Sequence, residues 1–444
     1  MTDDLFQIKN NKLYFDGRDI EKLAKQHGTP VYLFSERKLK ENIEYIQKSF
    51  QKNWTNSEIA YSLKNNSLSE VCNIIADKLL QFEVSSLAEL QLLEKISKEK
   101  NLELNAIVTN IYKSDELIKK SLERSETILA IDSFQDLENI ERVAREIKKK
   151  PKVLIRVNPG IKMDNTKEIF ASAFPDAKCA SIINNIDEIK KRSSDPTISI
   201  WLLDRTSKPE FDSAENLVLR TSESKHLDLI GIHCHLGSQI TQLEYFERFF
   251  EVISIFYKIM NEQVNGELKI LDFGGGYPVD YLSDGSVPTL KSISKSLANN
   301  LNKVNINPKV IIESGRFITA TAATLISQVK ITKESSSNRK IAILDMSVYS
   351  DLLDILVAKW FYDCALVNDL PDKESEKQVT NWDLVGVTND ALDQFISSNS
   401  KRLFTRELKT NDFIAIKNTG AYTICFNSKY AGKPIPKKVI IPVK

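Results

Sequence analysis

Residues 57–110 read SEIAYSLKNNSLSEVCNIIADKLLQFEVSSLAELQLLEKISKEKNLELNAIVTN. Three runs within it, SEIAYSLK (57–64), LLQFEVSS (79–86) and LNAIVTN (104–110), are short, apolar and rich in the residues that favour strands. Between them, LSEVCNIIADK (68–78) and LAELQLLEKISKEK (87–100) repeat apolar residues at i, i+3 and i+4, which is one face of a helix. Strand and helix alternating in this way predict parallel strands joined by crossover helices.

The alternation continues outward. TILAID (127–132), KVLIRVNPG (152–160), LIGIHCHLGS (229–238), LKILDFGGGY (268–277) and KVIIESG (309–315) read as five more strands, and QDLENIERVAREIKKK (135–150) as another helix. Eight repeats predict an α/β fold, a (β/α)8 TIM barrel over residues 35–320, and such a barrel takes ~250 residues as one unit. TISIWLLD (197–204) also reads as a strand, in the long stretch between Gly160 and Gly231 where a barrel needs one helix. It predicts an insertion near 161–212. After residue 320 the pattern becomes TLISQVKITKE, KIAILDMSV, WDLVGVT, DFIAIKN, AYTICFN and KKVIIPV, a β-sandwich or barrel-like domain over 321–444. The hairpin-like KNNKLYFDGRDI (9–20) places residues 1–34 with that domain, because termini often meet.

Lys+Arg 61 against Asp+Glu 60 leave a net charge of +1, so no general field draws nucleic acid or an acidic membrane. Five cysteines without a C-x-x-C pair point to a reducing compartment. The opening MTDDLFQIKN lacks a signal peptide's apolar core, and no uncharged apolar run reaches the ~18 residues of a membrane span. The expectation is a cytoplasmic protein. Glycine is scarce: there are 14, where average usage of ~7% would place about 31. Each one marks a position that tolerates little else.

Gly274, Gly275 and Gly276 end a predicted strand, where bare backbone can approach a bound group and offer N–H groups to an anion; a tight turn is the plainer reading. Glu313 and Arg316 flank Gly315 at another strand end, as a structural ion pair or as a carboxylate for a heterocyclic nitrogen beside a phosphate clamp. His233 and His235 share a strand face, but no third ligand has matching spacing, so a stacking imidazole, with Ser238 reaching a phosphate, is preferred to a metal. Lys64 ends the first strand, where desolvation and neighbouring positive charge can make an amine nucleophilic toward an aldehyde. Amine, anion cradle, arginine, imidazole and carboxylate at strand ends together describe a pyridoxal phosphate (PLP) site.

In order, AYSLKNNS, FEVSSLAEL, GIHCHLGSQI, LDFGGGYPVDY, IIESGR and NTGAYT resemble the blocks of the alanine-racemase-like, fold type III PLP decarboxylases acting on ornithine, diaminopimelate or arginine. The resemblance runs from Gly28-Thr29-Pro30 to Gly420-Ala421-Tyr422. It implies that Lys64 holds the cofactor covalently, that His235 stacks on its ring and that Glu313 faces the pyridine nitrogen. Ser238, Gly274, Gly275, Gly276, Arg316 and Tyr422 would bind the phosphate. It also implies a head-to-tail homodimer with active sites at the interface and a small amino-acid substrate.

Two segments depart from the family. In GVTNDALDQF (386–395), Asn389 stands where the family has a catalytic cysteine, with Asp390 in the acidic position after it. A carboxamide does not titrate usefully, so another group, such as Lys64 or a water, must give the proton to the carbanionic carbon. The family's Ser-Lys-Phe-Gly block has its nearest match at Ser207-Lys208-Pro209-Glu210, within the insertion. Asp363 and Asp390 match the acidic residues that hold a distal amine in ornithine-type relatives. DLLDILVAKWFYD (351–363) has Lys359 as its only cation, where diaminopimelate-type relatives use an arginine. The expected reaction is α-decarboxylation of an ornithine-, lysine- or diaminopimelate-like substrate, or of a conjugate such as a citryl-ornithine-type siderophore precursor. The alternatives are an amino-acid racemase on this fold and a catalytically altered homologue with a binding role.

Overall fold

The computed structural model describes residues 5–163, 171–202, 213–266, 268–371, 379–395 and 402–443. The chain forms two compact units: Ile43–Pro278 with Gly285–Gly315, and Met1–Asn42 with Val279–Asp284 and Arg316–Lys444.

The first unit is the barrel. Its strands are β1 (Ser57–Ser62), β2 (Gln81–Val84), β3 (Asn105–Val108), β4 (Thr127–Ile131), β5 (Lys152–Asn158), β6 (Asp228–Cys234), β7 (Ile270–Asp272) and β8 (Lys309–Ser314). All pair in parallel in this order, and β8 pairs with β1 to close the ring. The intervening helices start where short polar side chains cap them: the Ser86, Ser114, Ser133 and Thr289 hydroxyls accept the N–H of Glu89, Leu117, Asp136 and Ser292.

Alternation along the strands decides what fills the ring. Ala60, Ile107, Leu154, Ile230 and Ile311 form one apolar layer, with Ile128 and Ile270 packed against it. Two residues further along β1, β3, β5, β7 and β8, the same face carries Ser62, Thr109, Arg156, Asp272 and Glu313. The apolar layer is therefore floored below a polar one at the C-terminal mouth. On β6 an extra residue restores this phase: Leu229 pairs with Val153 but Gly231 pairs with Leu154, a bulge at Ile230 that sets His233 opposite Arg156. A Cβ on Gly231 would lie 2.1 Å from the Ile270 carbonyl oxygen, so only glycine passes the neighbouring strand there.

Over its described residues, 197–202, TISIWLLD is not a strand. Ile198–Trp201 is a single helical turn. Its isoleucines suit a strand, but Asp195 accepts the Thr197 N–H at 2.7 Å and the Trp201 indole N–H at 3.0 Å, curling the segment on itself. Arg248 covers the Trp201 ring at 5.3 Å. Ser181–Ile182 instead adds a short parallel strand to β5. Ser207–Glu210 lie outside the described residues.

In the second unit, the long strand Ala323–Glu334 pairs antiparallel with Val31–Ser35, Lys340–Leu344 and Phe413–Lys417. Lys437–Ile441 extends the sheet in parallel beside Val31–Ser35, and Thr380–Val385 beside Lys340–Leu344. The N-terminal segment that enters this sheet is Val31–Ser35, not the hairpin. Phe6–Lys9, Lys12–Phe15 and Arg18–Asp19 make a separate three-stranded sheet, tied to the rest by Leu13 N–H to the Val367 carbonyl, 2.8 Å, and Leu370 N–H to the Asn11 carbonyl, 2.9 Å. AYTICFN also departs from its strand reading: Ile424–Phe426 form a 3-10 turn, after Tyr422 at φ 56°.

Candidate active site

Lys64 follows β1 in a 3-10 turn, and its Nζ lies 2.5 Å from Glu83 Oε2 on β2. Glu83 has no solvent exposure. The Ser62 hydroxyl donates to the same oxygen and the Thr109 hydroxyl to Oε1. Burial alone would raise this carboxyl, but the Lys64 charge and the Lys64, Ser62 and Thr109 hydrogen bonds outweigh it and hold it at about 2. The immediate neighbour of Lys64 is thus a carboxylate, not the positive charge expected from the sequence.

Across the mouth, Arg156 Nη1 donates to the Thr109 carbonyl at 3.0 Å and lies 3.5 Å from Asp132 Oδ1. Burial keeps His233 well below the usual histidine range, aided by the Arg156 charge, and burial with the charges of Lys64 and Arg156 does the same to His235. Both rings are neutral at pH 7. His235 Nδ1 accepts the Gly275 N–H at 2.9 Å, so its proton sits on Nε2.

The glycine run is shaped by this histidine. A Cβ on Gly274 would lie 2.4 Å from the Cys234 carbonyl oxygen and 2.8 Å from His235 Nδ1, and one on Gly275 would lie 2.9 Å from the Glu313 carbonyl oxygen. Gly274 N–H is also committed, to Asp272 Oδ1 at 2.9 Å. Two of the three amides foreseen for an anion therefore serve the protein itself. Phe273 and Tyr277, on either side of the glycines, pack on Phe246, Phe249 and Phe250 of the helix Leu243–Gln263. Ser238 is half-buried in the turn after His235.

Glu313 is 3% exposed, and burial, with the Glu83 charge, pushes its carboxyl up to about 8. Its Oε1 lies 3.3 Å from His233 Nε2 but has no hydrogen-bond partner.

In the second unit, Arg316 is buried between the rings of Trp360 and Tyr422, 4.8 and 4.6 Å from their centroids, and donates to the Tyr281 hydroxyl at 3.0 Å. Asp363 pairs with Lys417 at 2.8 Å. Asp390 accepts the Leu392 N–H at 2.9 Å, the Tyr349 hydroxyl at 2.8 Å and the Tyr430 hydroxyl at 3.4 Å, which hold its carboxyl below the usual range. Asn389 is exposed beside it. Asp393 anchors this loop, accepting Val348 N–H at 2.8 Å and the Thr388 N–H and hydroxyl at 3.0 and 2.6 Å.

Sequence reasoning missed Glu83, Arg156, Asp272, Trp360 and Asp393. The first three had a signal: a polar residue at the C-terminal end of a barrel strand. The barrel residues suit PLP, with an amine at Lys64 for its aldehyde and a buried carboxyl oxygen on Glu313 for its ring nitrogen; in the second unit, the Arg316 guanidinium is of the type that binds a phosphate.

Residues 38–200 and 209–320 match the family described as pyridoxal-dependent decarboxylase, pyridoxal binding domain. The chain is 24% identical over 442 residues to diaminopimelate decarboxylase of Aquifex aeolicus, an alignment covering 98% of this chain and 92% of the relative. Its fold matches the diaminopimelate decarboxylase of M. jannaschii in complex with L-lysine, with a TM-score of 0.82 at 22% identity, covering 99% and 93% of the two chains. It also matches SrLDC in complex with PLP and cadaverine, with a TM-score of 0.72 at 19% identity, covering 99% and 95%.

Glu83 stays ionised down to about pH 2, against ~4.3 in an unfolded chain, so its contribution to stability is full above pH ~4.3 and is lost as pH falls toward 2. Glu83→Gln has no such contribution to lose. Its acid-unfolding curve should be flatter over that window, and its turnover at pH 7 should fall about tenfold or more, with Glu83→Asp recovering part of it. Superimposable acid curves and full activity would show that the pair does not matter.

Proposed function

The chain belongs to the pyridoxal-dependent decarboxylase family, and from that membership we propose that it removes the α-carboxylate of an amino acid bearing a second, distal amine. It is a carboxy-lyase whose cofactor is PLP. When bound, PLP supplies an aldehyde that exchanges amines and a conjugated ring that takes up the electron pair left by CO2.

The chain's residues supply the rest. Lys64 would hold the cofactor, and Glu83, 2.5 Å from its Nζ, would receive its ammonium when the substrate's α-amine takes its place. His235, neutral and oriented by Gly275, would pack on the cofactor's ring, and Glu313 would hold the proton at its nitrogen. Arg316 and Tyr422 in the second unit, and Ser238 and Gly276 in the barrel, are the residues that would bind a phosphate. The Asn389 carboxamide does not titrate usefully, so the proton that replaces CO2 would come from Lys64 or a water. The observation that carries this reading is the Lys64–Glu83 pair at a mouth that also holds the buried Glu313.

Relatives named diaminopimelate decarboxylase support a diamino acid. Asp390, held ionised on a partly exposed loop, is the residue for the distal ammonium; Asp363 is already matched by Lys417. Decarboxylation tests this directly. Among diaminopimelate, lysine, ornithine, arginine and N-acylated ornithines, CO2 should come from at least one diamino acid, with borohydride fixing PLP on Lys64. No CO2 from any of them, or trapping elsewhere, would sink the assignment.

Two copies of the chain form the working enzyme, each lending its Asn389–Asp390 loop to the other. In support, Val387, Leu392, Phe426 and Tyr430 are exposed around that loop's anchor. Mixing inactive Lys64→Ala with inactive Asp390→Ala should restore part of the activity, because one hybrid site is intact; a mixture as dead as its parts excludes the shared site. Asn389→Cys, by adding a titratable thiol, should change the rate or the ratio of products. Unchanged kinetics would remove position 389 from the chemistry.

A further inference from the structure

Asp272 ends β7 and pairs in register with Ile311 of β8, two residues before Glu313. Both carboxyl groups point into the barrel, at 0% and 3% exposure. Asp272 Oδ1 is satisfied by the Gly274 N–H. Among the described residues, Asp272 Oδ2, Glu313 Oε1 and both His233 nitrogens have no hydrogen-bond partner, and one ligand atom from each of the three residues lies within 4.8 Å of the others.

Two carboxylate charges cannot be buried side by side without a cation against them. The cations of this layer are engaged elsewhere: Lys64 with Glu83, and Arg156 with Thr109 and Asp132. We propose that Asp272 carries a proton and donates it to Glu313, so that once Glu313 is ionised the pair holds one proton and one negative charge, the charge resting on Glu313. Asp272 is then a positioning residue for the charge opposite the ring nitrogen, and this consequence rests on the reading that Glu313 faces that nitrogen.

The surroundings agree. Burial raises both carboxyls, Asp272 well above its usual range, and the Glu83 charge raises them further. Lys64, Arg156 and the bond from Asp272 draw Glu313 back down, so Asp272 is the one that keeps the proton. From β6, His233 faces the pair as a neutral ring, and the Tyr277 phenol, pushed up by burial, adds no charge.

Asp272→Asn replaces a neutral donor by a neutral donor. In the cofactor-free full-length protein above about pH 9, where Glu313 is ionised, the infrared carbonyl band of an un-ionised carboxylic acid should be present in wild type and lost in this variant. In the PLP-loaded protein, the pH midpoint of the cofactor's absorbance change should stay within a few tenths of a unit of wild type, whereas Asp272→Leu, which removes the donor, should weaken PLP binding about tenfold. If Asp272 is ionised, no band is lost and Asp272→Asn lowers the midpoint by about one unit or more, because a negative charge has gone; that result overturns the proposal. A wild-type absorbance spectrum in Glu313→Gln would instead overturn the placement of Glu313, leaving the shared proton to stand on the infrared band.

Discussion

A carboxylate with no access to water has to be matched inside the protein, and Glu83 is the charge around which the barrel mouth is arranged. Lys64, Ser62 and Thr109 give it three donors from β1, the turn after β1 and the end of β3. Its charge then acts on its neighbours. It adds to the desolvation that lifts Glu313 to about 8 and helps keep Asp272 un-ionised. Lys64 and Arg156 work in the opposite sense on the histidines, holding His235 neutral with its proton on Nε2. One buried anion thus adds to the burial that raises two carboxyl groups, on β7 and β8.

That anion can exist only because the sheet is closed. In an open sheet, alternate residues would face solvent or a helix; in the ring they meet at the axis, apolar in one layer and polar in the next. The bulge at Ile230 keeps β6 in phase with this arrangement, and Gly231 permits the close passage of Ile270 that the bulge requires. The second unit handles its buried charge differently, with aromatic faces: Arg316 lies between Trp360 and Tyr422.

Much of this was legible in the residues. Lys64, His235, the glycine run and Glu313 lie at C-terminal ends of strands that periodicity identifies, and all eight barrel strands form where the alternation places them. What escaped depended on partners remote in the chain. Asp363 reads as a ligand for an amine until Lys417 is seen beside it. The glycines read as an anion cradle until Asp272 and His235 are found taking two of their amides. TISIWLLD reads as a strand because its isoleucines are β-branched, and loses to the local bonds made by Asp195.

The sequence by itself determined the class of fold, the family and the residue types at the mouth, because period-two and period-3.6 patterns and short motifs are local properties of a chain. Only the tertiary structure decided how the charges are shared: that Lys64 answers to Glu83, that His233 and His235 are neutral, and that Asp272 and Glu313 stand together. Those facts turn on distances of a few ångströms between strands far apart in sequence and on the exclusion of water, and neither is written in the order of the residues.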